Sequence, residues 1–339
     1  MDKKILIINT GGTIGMVRTD NGYAPKKGAL LNELRQIRDL GSTAMPAWDM
    51  IEFDPLLDST NIKYEQWNQI AYAVSDNYSA YDGFVVLHGT DTLAYSASAL
   101  SFMLENLSKP IIFTGSQIPL CELRSDGKDN LITSMMIAAD GVAREVSLYF
   151  GNSLYRGNRT TKYSADGMMA FSSPNYPELA RAGIDIQYTK SNFGAADVEA
   201  AGTDLIVTEM KECKLAVIKV FPSIQFELFA PIVQEMDGLI LETFGTGNIP
   251  TYDYALSALI DEAGRRDTTV LVCTQCPQGS VRLGAYEAGS ALVKAGAVSG
   301  YNMTTEAAVT KLSYLLSKGC SREEIRLMME TDLRGELNK

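Results

Sequence analysis

Six side chains of this sequence could share one piece of chemistry. Thr13, Tyr23, Ser59 and Thr90 carry hydroxyls, Asp91 a carboxylate and Lys162 an amine. A threonine hydroxyl is a poor nucleophile until a neighbour takes its proton. A lysine can do so only when neutral, which its ordinary basicity opposes, and an adjacent aspartate would orient it while opposing that neutral form. The chain holds one histidine, His88, so any Ser-His-Asp or Cys-His relay has to use it, and sites built on several histidines are excluded. The chemistry these residue types suggest is acyl transfer: a threonine attacks a carbonyl, and N–H groups of a glycine turn stabilise the oxyanion.

Two stretches would have to bring these groups together. Thr10-Gly11-Gly12-Thr13-Ile14-Gly15 follows an apolar run, Ile5 to Ile8, that reads as a first strand. Its glycines permit a sharp turn and a close backbone approach to a ligand. His88-Gly89-Thr90-Asp91-Thr92 follows a second buried strand, Phe84 to Leu87. Ligands of open parallel sheets bind beyond the carboxyl ends of the strands, so the two turns are expected over one crevice. Neither is a dinucleotide fingerprint, because Thr10 stands where its first glycine belongs, and no Gly-Lys-Ser/Thr is present for a P-loop.

Further elements follow from periodicity and turn residues. Met16 to Lys27, with Asp20, Asn21, Gly22 and Pro25, is expected to be a mobile loop carrying Tyr23, placed to serve as a lid. Asp58-Ser59-Thr60-Asn61 precedes a helical pattern at Trp67, Ile70, Ala71, Val74 and Tyr78, so one member is expected to cap a helix and the others to bind a small molecule. Leu93, Ala97, Leu100, Leu104 and Leu107 share one helical face. Tyr155 to Lys162 holds three cations in an acidic chain and reads as a solvated loop unless something orders it. Thr189 to Lys211 loses periodicity and reads as a linker. A second βα series follows, closing with helices at Thr305 to Leu316 and Arg322 to Thr331; Ser321 and Glu324 make a capping box.

The fold expected is α/β, with a larger N-terminal parallel-sheet domain and a smaller C-terminal α/β domain. The boundaries expected are 1–188 for the catalytic domain, 189–212 for the linker and 213–339 for the second domain. A length of 339 residues exceeds the size at which one core usually stops growing. The net charge of −11 argues against nucleic acid and anionic membranes. No run reaches the length of a membrane span, and the N-terminal apolar run is too short for a signal peptide. Five cysteines, an odd number, suggest reduced thiols. These features point to a cytoplasmic protein. Cys273 and Cys276 form a C-x-x-C with no second pair and one histidine in the chain, too few ligands for zinc, so no metal or other cofactor is expected.

Together, Thr10-Gly-Gly-Thr-Ile-Gly15 and His88-Gly-Thr-Asp-Thr92 resemble the two signatures of bacterial L-asparaginases. Asp58-Ser59, Arg159-Thr-Thr-Lys162, Gly-x-Gly-Asn248 and Met303-Thr-Thr-Glu-Ala-Ala308 match as well, so the likeness covers essentially the whole chain and is greatest to the cytoplasmic type I enzymes. The resemblance implies hydrolysis of L-asparagine to L-aspartate and ammonia. Thr13 would be the nucleophile and Tyr23 its activator. Thr90, Asp91 and Lys162 would position or activate the attacking water or hydroxyl, and which threonine acts at which step stays open. Asp58, Ser59 and Asp91, with Thr60 nearby, would hold the α-ammonium and α-carboxylate. It also implies a homodimer or homotetramer. Some type I enzymes carry a second asparagine site as an effector site; Thr161, Asn248 and Cys276 match it, but Glu242 stands where an arginine lies. A glutamate repels a carboxylate that an arginine would clamp, so weak or absent activation by asparagine is expected.

Three readings are held together: an asparaginase; a glutaminase or amidotransferase subunit; and a non-catalytic amino-acid sensor on the same fold. One methylene changes binding by about 1–3 kcal/mol, which leaves minor glutaminase activity open. The acidic chain begins at the first strand, which ranks the RNA-contacting amidotransferases low. Thr13, Thr90, Asp91 and Lys162 together disfavour the sensor, since binding alone needs no nucleophile.

Overall fold

The structure, a computed structural model, describes residues 2–193, 204–250, 254–266, 268–285, 287–294 and 296–339. The chain divides into two units, Met1–Val207 and Thr208–Lys339.

In the first unit, β1 (Lys4–Gly11) is followed by a single 3-10 turn, Thr13–Gly15, and by a hairpin of β2 (Met16–Thr19) and β3 (Gly22–Pro25). Helix α1 (Ala29–Gln36) leads to β4 (Ala47–Leu57), and α2 (Tyr64–Asp76) leads to β5 (Gly83–Leu87). Helix α3 (Leu93–Met103) passes through the short β6 (Leu104–Glu105) to β7 (Ile111–Thr114), and α4 (Gly127–Asp140) to β8 (Val146–Phe150). Then come β9 (Ser153–Arg156), β10 (Thr161–Lys162), β11 (Phe171–Ser172), β12 (Ala180–Ala182), β13 (Ile186–Tyr188) and β14 (Ile206–Val207).

Among the described residues, eight strands make one sheet in the order β13-β12-β9-β8-β7-β5-β1-β4. The run from β4 to β8 is parallel; β9, β12 and β13 extend it antiparallel, so the expected parallel sheet has a mixed edge. From β1 the chain moves outward to β4, then returns past β1 to β5, β7 and β8. The strand order therefore reverses between β1 and β5, the position where open α/β sheets form a ligand crevice.

Strand alternation assigns the faces. Ile5 and Ile7 of β1 and Val85 and Leu87 of β5 pack with Leu30 and Leu34 of α1 and Leu131, Met135 and Ala138 of α4. Each such Ile, Val, Leu or Met side chain removed from water stabilises the fold by roughly 1.5–3 kcal/mol. Helix α3 is buried at every position except Tyr95, as expected of a helix that is apolar or small all round.

The second unit is a four-stranded parallel sheet, β15 (Leu215–Lys219), β16 (Gly238–Thr243), β17 (Thr269–Thr274) and β18 (Val298–Ser299), in that order. Ile218, Leu239, Leu241 and Val272 pack against Leu256 and Ile260 of the helix Tyr254–Arg265. Helix Arg322–Met329 opens with the expected Ser321–Glu324 capping box.

Several expectations are corrected. Met16 to Lys27 is a hairpin, not a mobile loop: Met16 pairs with Pro25 and Arg18 with Tyr23. Helix α3 ends at Met103, and Leu104 pairs with Val207 in β6–β14 instead of continuing the helical face. Tyr78 lies beyond the end of α2. Asp58 caps the 3-10 turn Ser59–Asn61, while Lys63 is the N-cap of α2. In the second unit, a 3-10 turn at Phe226–Phe229 is followed by one short helix, Ala230–Val233. The segment read as a solvated loop is instead buried at Tyr155, Arg156, Asn158, Arg159 and Thr160. Arg156 pairs with Glu145 through two bonds of 3.0 and 3.1 Å, and both Arg156 and Arg159 lie over the Tyr176 ring. Fixed-fork and cation–π contacts suit arginine, and they let these cations leave water. Of the expected linker 189–212, residues 194–203 lie outside the described residues; Lys190–Asn192 form a 3-10 turn and Ile206–Val207 a strand. Among the described residues, no helix is long and apolar enough to cross a membrane.

Candidate active site

Three strands end side by side. Gly11 of β1 stands opposite Leu57 at the end of β4, and Asn9 opposite Leu87 at the end of β5. The turns that follow hold Gly12–Gly15, Asp58–Asn61 and His88–Thr92. Glycines let them close on one another. A Cβ on Gly12 would stand 2.4 Å from the Gly89 nitrogen, and one on Gly89 would stand 2.4 Å from Ser59 Oγ. Gly11 has a φ of 124°, and its Cβ would meet the Leu57 carbonyl at 2.2 Å. Thr10 Oγ1 donates to the Leu87 carbonyl at 2.9 Å, and Thr92 Oγ1 to the Ser59 carbonyl at 2.7 Å. The turns carrying Thr13, Ser59 and Thr90 thus form one backbone assembly.

Lys162 joins them from β10, which the buried Arg156–Thr160 segment delivers. Thr160 Oγ1 donates to the Arg156 carbonyl at 2.7 Å, and β10 pairs with β11. The Lys162 amine donates to Thr90 Oγ1 at 3.0 Å and to Asp91 Oδ1 at 2.6 Å. The Thr90 hydroxyl donates in turn to Gln117 Oε1 at 3.2 Å. Among the described residues, none hydrogen-bonds the half-buried Thr13 hydroxyl. The two threonines therefore differ: Thr90 is held between an amine and an amide, and Thr13 is uncommitted.

Three glycine amides of the first turn are already taken within the fold. Gly11 N–H goes to Asn9 Oδ1, Gly12 N–H to the Leu57 carbonyl and Gly15 N–H to the Gly12 carbonyl. The amides of Thr13 and Thr90 are taken by no described residue. Glycine here serves close approach, and the Gly89 amide likewise is taken by no described residue.

Ser59 is buried, while Asp58 and Thr60 are exposed, with Asp58 Oδ1 accepting the Thr60 amide at 3.1 Å. Tyr23 is 46% exposed on β3, and that strand contacts the Thr13–Gly15 turn. Hydrogen bonding to the Glu122 carboxylate raises the Tyr23 hydroxyl above the usual tyrosine range. His88 is fully buried, and desolvation lowers its pKa to about 4, so it is neutral near pH 7. Gln117 was missed by sequence reasoning. It sits just past β7, the strand beside β5, and donates to the carbonyls of Ala165 and Gly167 at 3.3 and 3.1 Å. Its place beyond the carboxyl end of an interior strand was the signal available.

The residues matched to an effector site fall in both units. Thr161 lies on β10 in the first. In the second, Glu242 on β16 accepts a 2.5 Å bond from Thr305 Oγ1 and lies 4.0 Å from the Lys219 amine; Asn248 bridges to Phe244, and Cys276 is exposed. Cys273 is buried, which pushes its thiol up to about 12. Among the described residues, no group of His, Cys, Asp or Glu is arranged to hold a metal ion.

Comparison with known proteins gives one family over most of the chain. The model "Asparaginase, N-terminal" matches residues 4–193, and "Glutaminase/Asparaginase C-terminal domain" matches residues 214–329. The chain is 46% identical over 336 residues to L-asparaginase 1 of Escherichia coli strain K12, covering 99% of this chain and 98% of that protein. It superposes on the crystal structure of L-asparaginase I from Vibrio cholerae with a TM-score of 0.91 at 43% identity, covering 100% of both chains. It superposes on the thermostable L-asparaginase from Thermococcus kodakarensis with a TM-score of 0.88 at 32% identity, covering 99% of both.

Proposed function

The chain belongs to the asparaginase family, and from that premise we propose that it hydrolyses L-asparagine to L-aspartate and ammonia through a threonine acyl-enzyme. Thr13 Oγ attacks the side-chain carbonyl carbon, and its proton passes to the Tyr23 oxygen as the Tyr23 hydroxyl gives its own to the Glu122 carboxylate beside it. The tetrahedral oxyanion is met by the amides of Thr13 and Thr90. The C–N bond breaks, the leaving nitrogen gains a proton, and ammonia departs from a Thr13–aspartyl ester. Water held by Thr90, Asp91 and Lys162 then attacks the ester carbonyl, and aspartate leaves as Thr13 regains its proton.

The substrate's ends fix its register. The carboxylates of Asp58 and Asp91 face the α-ammonium, and Ser59 with Thr60 takes the α-carboxylate. The observation that carries this reading is the packing of Gly12 on Gly89, which sets an uncommitted threonine beside one bound to Lys162. Minor activity on glutamine belongs to the same reading, since discrimination by one methylene is modest. So do catalysis by residues 1–188, a cytoplasmic setting and assembly as a homodimer or homotetramer. Glu242, already bonded to Thr305, supports an effector position that repels a carboxylate. Ammonia release measured side by side on asparagine and glutamine, from micromolar to millimolar, tests the assignment. Faster turnover of asparagine supports it; turnover of glutamine alone, or of neither, overturns it.

A further inference from the structure

The one histidine of the chain has no step in this mechanism, yet it lies next to the Thr90 turn. His88 follows β5 and is 1% exposed. Its Nδ1 is 2.8 Å from the Gly89 carbonyl oxygen, and its Nε2 is 2.9 Å from Ser96 Oγ on α3. Trp67 Nε1 on α2 is 2.9 Å from the same Ser96 oxygen.

The directions of these bonds follow from the groups involved. A carbonyl oxygen only accepts, so Nδ1 carries the imidazole proton. An indole N–H only donates, so Ser96 Oγ accepts from Trp67. Burial keeps the ring neutral, which leaves Nε2 a lone pair for the Ser96 hydroxyl. The chain therefore runs one way: Trp67 N–H to Ser96 O–H, Ser96 to His88, His88 N–H to the Gly89 carbonyl. It ends on the peptide unit whose other end is the Thr90 amide.

We propose that His88 is a positioning residue for the reaction: its Nδ1–H bond to the Gly89 carbonyl fixes the Gly89–Thr90 peptide plane and polarises the Thr90 N–H that meets the oxyanion. Hydrogen bonds in series strengthen one another by about 10–30% each. Donation to a peptide carbonyl makes the N–H of the same unit a better donor. Gly89 lacks the side chain that would hinder rotation of its peptide, so the imidazole supplies the restraint. His88 moves no proton in this role. The proposal rests on the reading of the Thr90 amide as an oxyanion donor.

Asparagine and glutamine separate the two ends of the ring. An asparagine side-chain N–H reaches the place of Nδ1, and a glutamine amide reaches that of Nε2. His88→Asn keeps the bond to Gly89 and loses that to Ser96; His88→Gln does the reverse. Removing an oxyanion donor outright costs about 10²–10³ in kcat, so weakening one is expected to cost His88→Gln about 10–100-fold in kcat. KM for asparagine should stay within about threefold, and His88→Asn should stay within about fivefold of the parent kcat. Aspartate binding by calorimetry checks that each variant keeps its site. Equal losses in the two variants, a rise in KM in place of the fall in kcat, or His88→Gln at parental kcat overturns the proposal. Absence of ammonia release by the unsubstituted protein would instead count against the assigned reaction.

Discussion

Gly12 packs on Gly89 so closely that it has no room for a methyl group: a Cβ on Gly12 would lie 2.4 Å from the Gly89 nitrogen and 2.5 Å from its Cα. Two turns that begin far apart in sequence become one surface through this contact. The uncommitted Thr13 and the Lys162-bound Thr90 belong to that surface. Gly12→Ala adds overlap with backbone to a φ of 85° that alanine rarely adopts. Overpacking of this kind costs about 1–3 kcal/mol. The variant is expected to lower the denaturant midpoint by a corresponding amount and to lose most ammonia release. Parental values in both measurements would show that the turns do not need this contact.

Lys162 separates activity from stability. Its side chain is 20% exposed and that of Asp91 57%, so the ion pair itself contributes little, about 0–1 kcal/mol. Lys162→Met should leave the unfolding free energy within about 1 kcal/mol of the parent and reduce kcat by about 10²–10⁴. A variant that unfolds readily but turns over normally would assign the lysine to the fold.

The reverse holds for the pair Lys311–Glu336 in the second unit, where both side chains are 0% exposed and 2.5 Å apart. Glu336 also accepts the Leu333 and Arg334 amides, and Lys311 donates to the carbonyls of Met329 and Thr331. Glu336→Ala leaves a buried ammonium without its counter-charge, a loss of about 3–5 kcal/mol. Chemical denaturation should show a lowered midpoint. A change under about 1 kcal/mol would mean that the pair is open to water.

His88 makes stability depend on pH with a definite sign. Its folded pKa is about 4 against 6.5 for the free side chain, so between these values the unfolded chain binds the extra proton. The contribution is fully present above pH 6.5 and is lost as pH falls towards 4, on the order of 3 kcal/mol in all. His88→Asn removes the titrating group and should flatten the slope of unfolding free energy between pH 6.5 and 5. An unchanged slope would place the titration elsewhere.

At Glu242 the expected outcome is kinetic. Its carboxylate already accepts from Thr305 and would repel the carboxylate of a second asparagine. Rate against asparagine concentration should follow a hyperbola; a sigmoidal curve would show that an effector binds despite the glutamate.

The candidate constellation was legible because each part has a local signal. An apolar strand followed by glycine and threonine marks both turns, and these motifs in order with Arg159–Lys162 resemble one family. The buried Arg156–Thr160 platform was not legible, because Glu145 and Tyr176, which let its cations leave water, are specified elsewhere in the chain. The hairpin around Tyr23 was hidden by its turn residues: Asp20–Asn21 with Gly22 at φ 110° form a tight reversal, where composition alone suggests a loose loop. Leu104 kept helical spacing but found its strand partner in Val207, distant in sequence. Which amides stay open was also beyond pattern reading, since it depends on the Leu57 carbonyl and the Asn9 side chain taking those of Gly12 and Gly11.

The most direct test is ammonia release from L-asparagine by Thr13→Ala beside the parent protein, with aspartate binding measured on both. Binding should persist and kcat should fall by at least about 10³-fold, since removing a nucleophile leaves only the residual catalysis of the surrounding site. Turnover by Thr13→Ala within a few-fold of the parent would contradict that expectation.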